Sequence, residues 1–216
     1  MIKERKSSQI LLGIILAFTF LSEAVVFTLN FRPLYEWDMK NYNLEESTGI
    51  SAETIMKQYD TLIAYNRIGG PDTLSFPDLT ASETGLFHFA EVKQLFLFFQ
   101  WGLILGILFS AAGIFYFRKK SKLYLEVAGL ISLIAPVIVG ILALLFWDYF
   151  FVAFHKIFFR NNYWLFDETT DPIILLLPDG FFLHCAMLIV GLFLAGGAIS
   201  MVLYKSKILT SRDTEG

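Results

Sequence analysis

Four apolar stretches, Ile10 to Leu29, Leu95 to Phe117, Val127 to Trp147 and Phe181 to Tyr204, constrain this chain more than any other feature. Each is close to the roughly 20 residues that an α-helix needs to cross a hydrocarbon core about 30 Å thick. A helix closes its backbone hydrogen bonds within one segment, which lipid requires and an isolated strand cannot do. The chain is 56% hydrophobic and only 17% charged, so little sequence is left over for a separate soluble domain. The expected fold is therefore all-α and integral to the membrane. We read residues 1–216 as a single membrane domain with transmembrane helices at about 10–29, 95–117, 127–147 and 181–204. Loops fall at about 31–94 and 148–180.

The first stretch follows Lys3, Arg5 and Lys6 and so resembles a signal peptide. It is too long for one, and Phe31-Arg32-Pro33-Leu34 supplies no small-residue cleavage site, so it reads as a retained helix. Basic residues set the orientation. Lys3, Arg5 and Lys6 precede the first helix, Arg118, Lys119, Lys120 and Lys122 join the second to the third, and Lys205, Lys207 and Arg212 follow the fourth. By the positive-inside rule all three clusters are cytoplasmic, which puts both termini inside and both long loops outside. The first outer loop is acidic, with Glu36, Asp38, Glu45, Glu46, Glu53, Asp60, Asp72, Asp78, Glu83 and Glu91. The basic face is a topology signal and makes no case for nucleic acid.

The loop after the first helix is too long for a simple connector and is expected to be structured. Ser51 can cap a helix in which Ile55, Met56, Tyr59, Leu62 and Ile63 form one stripe, ended by Gly69-Gly70-Pro71. Leu86 to Lys93 enters the second span without a breaker, so His88, Glu91 and Lys93 belong to the first turns of a longer helix. His88 and Glu91, three apart, face alike. The aromatic run from Trp147 to Trp164 suits an interfacial belt. Asp171 to Pro178, apolar, short and bracketed by prolines, reads as a re-entrant or surface-lying element.

Three histidines occur, and two of them, His88 and His155, are expected at the same outer boundary. Imidazoles titrate near neutral pH, so a pair there can remove one proton and deliver another. An interfacial anchor is the plainer account of either histidine alone. His184, one turn into the fourth span, reads as a packing or hydrogen-bonded residue. Neither an HExxH zinc pattern nor a GxSxG nucleophile elbow is present, and no metal site or cofactor is expected. The lone Cys185, inside a span, reads as a packing residue. Glu23 is an ionisable group within the first span, where such groups tend to bond another helix or serve a site. Arg32, Lys93, Lys156 and Arg160 are boundary cations suited to a headgroup or an oxyanion, although most such cations merely snorkel.

The four-span order, the helix ending in Tyr59 to Tyr65, His88-Phe89-Ala90-Glu91-Val92-Lys93, and Phe154-His155-Lys156-Ile157-Phe158-Phe159 with Trp164 and the Asp171 to Pro178 run resemble the bacterial lipoprotein intramolecular transacylase family. The resemblance covers nearly the whole chain. It implies an enzyme of the bacterial plasma membrane that moves the sn-2 acyl chain of a diacylglyceryl-cysteine lipoprotein onto the α-amino group of the same cysteine. Its partners would be the diacylated lipoprotein N-terminus and membrane lipid. In that frame His88 and His155 are the catalytic candidates, and Glu91, Lys93, Arg32, Arg160, Trp164 and Glu23 the substrate-binding ones. Two other readings stand beside it: a noncatalytic docking subunit, and a lipid or lipoprotein ester hydrolase. Oligomeric state is left open.

Overall fold

The structure, a computed structural model, describes residues 2–117 and 122–213, with side chains over 6–117 and 122–206. Arg118, Lys119 and Lys120 of the basic linker lie outside the described residues, as do the side chains of Lys3, Arg5, Lys207 and Arg212. The described chain is all helical: α1 (Ile2–Asn30), α2 (Arg32–Asn41), α3 (Leu44–Thr48), α4 (Ala52–Tyr65), α5 (Glu83–Phe117), α6 (Leu123–Leu145), α7 (Trp147–Phe158), a 3-10 turn at Pro172–Leu176, and α8 (Asp179–Asp213). Four of them, over Lys6–Asn30, Glu83–Phe117, Leu123–Leu145 and Asp179–Ser206, are long and apolar enough to cross a membrane.

Two compact units divide the chain. The first comprises Met1–Val26, Trp101–Ile141 and Leu188–Gly216. Its core gathers Leu12, Leu16, Ala17, Phe117, Tyr124, Leu125, Ala128 and Phe193. In lipid, apolar faces gain little by meeting each other, so close approach through small residues carries the packing. Gly197 lies against Ser132 and Leu133, and a methyl group there would collide with both. Pro136 sits inside α6, a residue that membrane helices tolerate where neighbours accommodate it.

The second unit comprises Phe27–Gln100 and Leu142–Met187. Short helices form here because local breakers delimit them. Pro33 follows the joint at Phe31 and starts α2, while α3 lies between left-handed Asn43 (φ 48°) and Gly49 (φ 70°). Ser51 caps α4 as its position predicts, accepting from the Thr54 N–H at 3.3 Å. The apolar stripe of α4 then buries Ile55, Tyr59 and Leu62. These pack with Tyr35, Phe89, Phe181 and the 3-10 turn.

The Asp171 to Pro178 run differs from a surface-lying element. Ile173 and Leu176 are wholly buried in protein, and the Tyr35 hydroxyl donates to the Leu176 carbonyl at 2.8 Å. The reason is that Tyr35, stacked on Tyr59 with 3.8 Å between ring centroids, gives the turn an apolar floor and a donor for its carbonyl. The aromatic run likewise has structure of its own. Backbone φ of −138° at Phe146 breaks the third apolar helix, and the chain resumes as α7.

Candidate active site

All of the geometry that brings the two boundary histidines together lies within the second unit. His88 is on the second turn of α5, and the start of that helix is fixed from a distant part of the chain. Asp171 Oδ1 accepts from the Ser82 N–H at 2.7 Å, and Ser82 Oγ accepts from the Gly85 N–H at 2.9 Å, which satisfies donors that a helix N-terminus otherwise leaves free. Asp171 is packed so closely on Gly85 that a methyl group there would push its carboxylate away from the Ser82 N–H. His155 lies in the last turn of α7, on the face that also carries Phe151 and Phe159.

The two imidazoles approach to 5.8 Å between ring centroids. Both are buried, His88 to 5% exposure and His155 to 8%. Aromatic rings enclose them: Phe159 meets His88 edge-on at 4.7 Å, and Phe166 lies 5.6 Å away. Phe151 and Trp164 lie against His155 at 4.2 and 4.6 Å. Part of the aromatic run therefore serves as walls for the imidazoles, while Tyr149 and Ile157 remain highly exposed, as an interfacial helix requires.

The hydrogen bonds define what each ring can do. His155 Nδ1 is 2.7 Å from the Phe151 carbonyl oxygen. A carbonyl only accepts, so Nδ1 carries the hydrogen and the lone pair of the neutral ring is on Nε2. Burial holds His155 below its ordinary pKa, outweighing the opposing effect of that bond, so it is neutral at physiological pH and basic at Nε2. His88 Nδ1 is buried without a hydrogen-bond partner, and the nearest carboxylate oxygen, Glu91 Oε2, is 3.8 Å away. That distance allows electrostatic support without a bond.

The remaining candidates are distributed unevenly. Glu91 takes bonds of 2.9 and 3.1 Å from the Asn161 amide, and the Trp164 indole donates to the Asn161 carbonyl at 3.2 Å. Arg160 is exposed, directly between Phe159 and Asn161 in the chain. Lys93 is instead held by the Pro71 carbonyl at 2.6 Å and lies over the Tyr65 ring at 4.3 Å. Arg32 pairs with Glu36 at 3.3 Å and Asp60 at 3.2 Å. Glu23 belongs to the first unit and is exposed on α1. Lys156 is exposed on α7.

His184 is hydrogen-bonded, as its placement suggests, and its partner is Asp38 at 2.8 Å. That carboxylate, like Asp171 and Asn161, escapes sequence reasoning. Asp38 looks like one acidic residue among many in the outer loop, yet it is wholly buried. The adjacent Asn161-Asn162 amides before Tyr163-Trp164 are the available signal for Asn161, since paired amides next to aromatics suit a bonded turn.

The sequence model of the family described as lipoprotein intramolecular transacylase Lit matches residues 10–182. Among solved structures, the chain is similar to the membrane integral lipoprotein intramolecular transacylase Lit from Bacillus cereus. The identity is 27%, the TM-score 0.93, and the match covers 98% of this chain and 99% of the other. Structures of the same Bacillus cereus protein with one histidine replaced by arginine or by alanine match at TM-scores of 0.85 and 0.84, again at 27% identity. They cover 98% and 97% of this chain and 96% of each of those chains. A search of curated proteins finds no match. This chain, with its four apolar helices, is a multi-pass membrane protein and belongs to the lipoprotein intramolecular transacylase family.

Proposed function

We propose that His88 and His155 carry out the acyl transfer for which this family is named, as an acid–base pair without an acyl-enzyme. The reaction moves the sn-2 acyl chain of a diacylglyceryl-cysteine lipoprotein to the α-amine of the same cysteine. The observation that carries the assignment is the approach of the two rings to 5.8 Å, with the His155 tautomer set by Phe151.

The amine nitrogen attacks the sn-2 ester carbonyl, a C–N bond forms, and the carbonyl oxygen takes up the electron pair. His155 Nε2 accepts a hydrogen bond from one N–H of the neutral amine and so aims its lone pair at the ester carbonyl. An unperturbed α-amine has a pKa of about 7.7–8.0, so the cationic fraction gives its proton to water before attack and the neutral fraction is the nucleophile. His88 takes the proton that the amine loses on attack, and Glu91 beside it stabilises the imidazolium. Collapse of the tetrahedral intermediate breaks the ester C–O bond, and His88 returns the proton to the departing glycerol oxygen. Amine and ester belong to one molecule, so orientation supplies much of the rate and no protein nucleophile is needed.

The membrane frame of this reading has the termini in the cytoplasm, the loops 31–94 and 148–180 outside, and the site at the outer face. The positive-inside distribution of basic residues supports it. Trp164 and Glu91 line the site, and exposed Arg160 is placed to meet a headgroup or peptide carbonyl. Lys93 and Arg32 are occupied by bonds within the protein and serve its structure.

Intramolecular transfer is an isomerisation, so the test must localise the acyl chain. Purified protein in phospholipid vesicles is incubated with a synthetic diacylglyceryl-cysteine lipopeptide, and the product is sequenced by tandem mass spectrometry. The expected product has unchanged mass with an N-terminal amide and one remaining ester. Release of free fatty acid would establish a hydrolase instead, and unchanged substrate would support the docking-subunit reading.

A further inference from the structure

We propose that Asn161 is a positioning residue of the transfer reaction, acting on both imidazoles through their neighbours. This rests on the acyl-transfer reading above. The side-chain amide nitrogen of Asn161 reaches both oxygens of Glu91, at 2.9 and 3.1 Å. Its side-chain oxygen accepts from the Tyr163 N–H at 3.0 Å, so the two ends of the amide have distinct partners and its orientation follows. Its backbone carbonyl accepts from the Trp164 indole at 3.2 Å.

These bonds span the site. Glu91 is the carboxylate beside His88, and Trp164 is the ring lying against His155 at 4.6 Å with 31° between planes. The hydrogen bonds of Asn161 go to Glu91, Tyr163 and Trp164 and not to an imidazole, so its contribution is made through Glu91 and Trp164. The consequence for Glu91 is specific. A carboxylate on a flexible stem, about one quarter exposed, has water and the His88 ring as competing partners. Asn161 holds it 3.8 Å from His88 Nδ1, near enough to favour the imidazolium and not bonded to the neutral ring. The carboxylate charge then stands ready where positive charge develops as the proton is transferred.

The chemistry makes a separable prediction for the Glu91 branch. Without the amide, Glu91 is released to water or to a direct bond with His88, and in either position the proton carrier is misplaced. In the vesicle assay, Asn161→Ala is expected to lower kcat about 10- to 100-fold, the loss that displacement of a reacting group by about 1 Å brings. KM should change less than about twofold, because the amide does not touch the substrate. Asn161→Gln, with the amide on a longer stem, should recover part of the loss. In a Glu91→Gln background the further cost of Asn161→Ala should shrink to a few-fold, because residues acting through one another are not additive.

Thermal midpoint and membrane abundance are measured alongside. Wild-type kcat in Asn161→Ala, or a full additional loss in the Glu91→Gln background, would overturn the proposal. So would a loss that falls entirely in the amount of folded protein. Wild-type protein in the same assay keeps the two readings distinct: if it makes no N-acylated product, the transfer reading fails, and Asn161 fails with it for that separate reason.

Discussion

His184 and Asp38 meet at 2.8 Å with the carboxylate wholly buried, whereas His88 and Glu91 stand 3.8 Å apart with Glu91 in contact with solvent. Each is an imidazole beside a carboxylate, but the environments oppose each other. The first pair joins α2 to α8, and a Trp37 ring edge, 5.1 Å from His184, packs on it. No second imidazole faces it among the described residues. The second pair has His155 at 5.8 Å and a cage of aromatic rings. A tight, buried bond is costly to break and poor at exchanging protons, so it suits a fastening between helices. A slack pair can change its proton occupancy with little rearrangement, which is what a proton carrier needs.

The strongest way to break this contrast is to remove the imidazole that aims the amine in the slack site. His155→Ala is expected to lower turnover by about 10²- to 10⁴-fold with membrane abundance unchanged. Tandem mass spectrometry of the lipopeptide product, with abundance by immunoblot, reads both quantities. On the other side, Asp38→Ala removes the fastening and leaves His184 without its partner. Losing one partner of this bond, with His184 partly open to solvent, costs about 1–3 kcal/mol, so its thermal midpoint in detergent should fall by several degrees. Turnover per folded molecule should stay near wild type.

Acidity sharpens the comparison, because burial shifts His155 and Asp38 in opposite senses with respect to stability. His155 is held below its ordinary value of about 6.5, so the unfolded chain binds its proton more readily. Its contribution to stability is complete above about pH 6.5 and is lost as pH falls from there through the lowered folded value. Asp38 is held above its ordinary value by burial, against the opposing pull of His184. Its shift contributes stability at low pH that is lost as pH rises through the folded value. The midpoint of wild type minus that of His155→Phe should therefore fall as pH is lowered from 7 to 5, while wild type minus Asp38→Asn should rise as pH is lowered through the raised Asp38 value toward its ordinary 3.8. Parallel slopes would remove the distinction. The smallest effect is expected at an exposed pair away from both sites. Lys57 and Asp78 meet at 3.0 Å on the surface, and Lys57→Ala should leave the thermal midpoint nearly unchanged and turnover unaltered.

How far the sequence reaches can be judged from the same residues. The four apolar helices and the capped α4 are legible because length, periodicity and the Ser51 cap are local signals. The approach of His88 and His155 is legible only through the reasoning that puts two separate helix ends at one boundary. Asp38 and His184 are 146 residues apart, and nothing local marks which of the loop's many carboxylates is buried. Asp171 and Asn161 have the same difficulty, since each takes its role from a bond to a residue 70 or more positions away, Ser82 just before α5 or Glu91 within it. The aromatic run was ambiguous for a different reason. A belt and a cage have one composition, and only the break at Phe146 turns Phe151, Phe159 and Trp164 toward the imidazoles.

The contrast between the two pairs is tested most directly by making the same change in each and measuring two quantities together. His88→Ala and His184→Ala are purified in parallel, and the rate of N-acylated product formation per folded molecule is set beside the thermal midpoint. The account predicts that His88→Ala loses about 10²- to 10⁴-fold in rate with a small change in midpoint. It predicts that His184→Ala loses several degrees in midpoint and keeps a rate within a few-fold of wild type. A His184 variant that folds normally and makes no product, or a His88 variant that turns over at the wild-type rate, would contradict it.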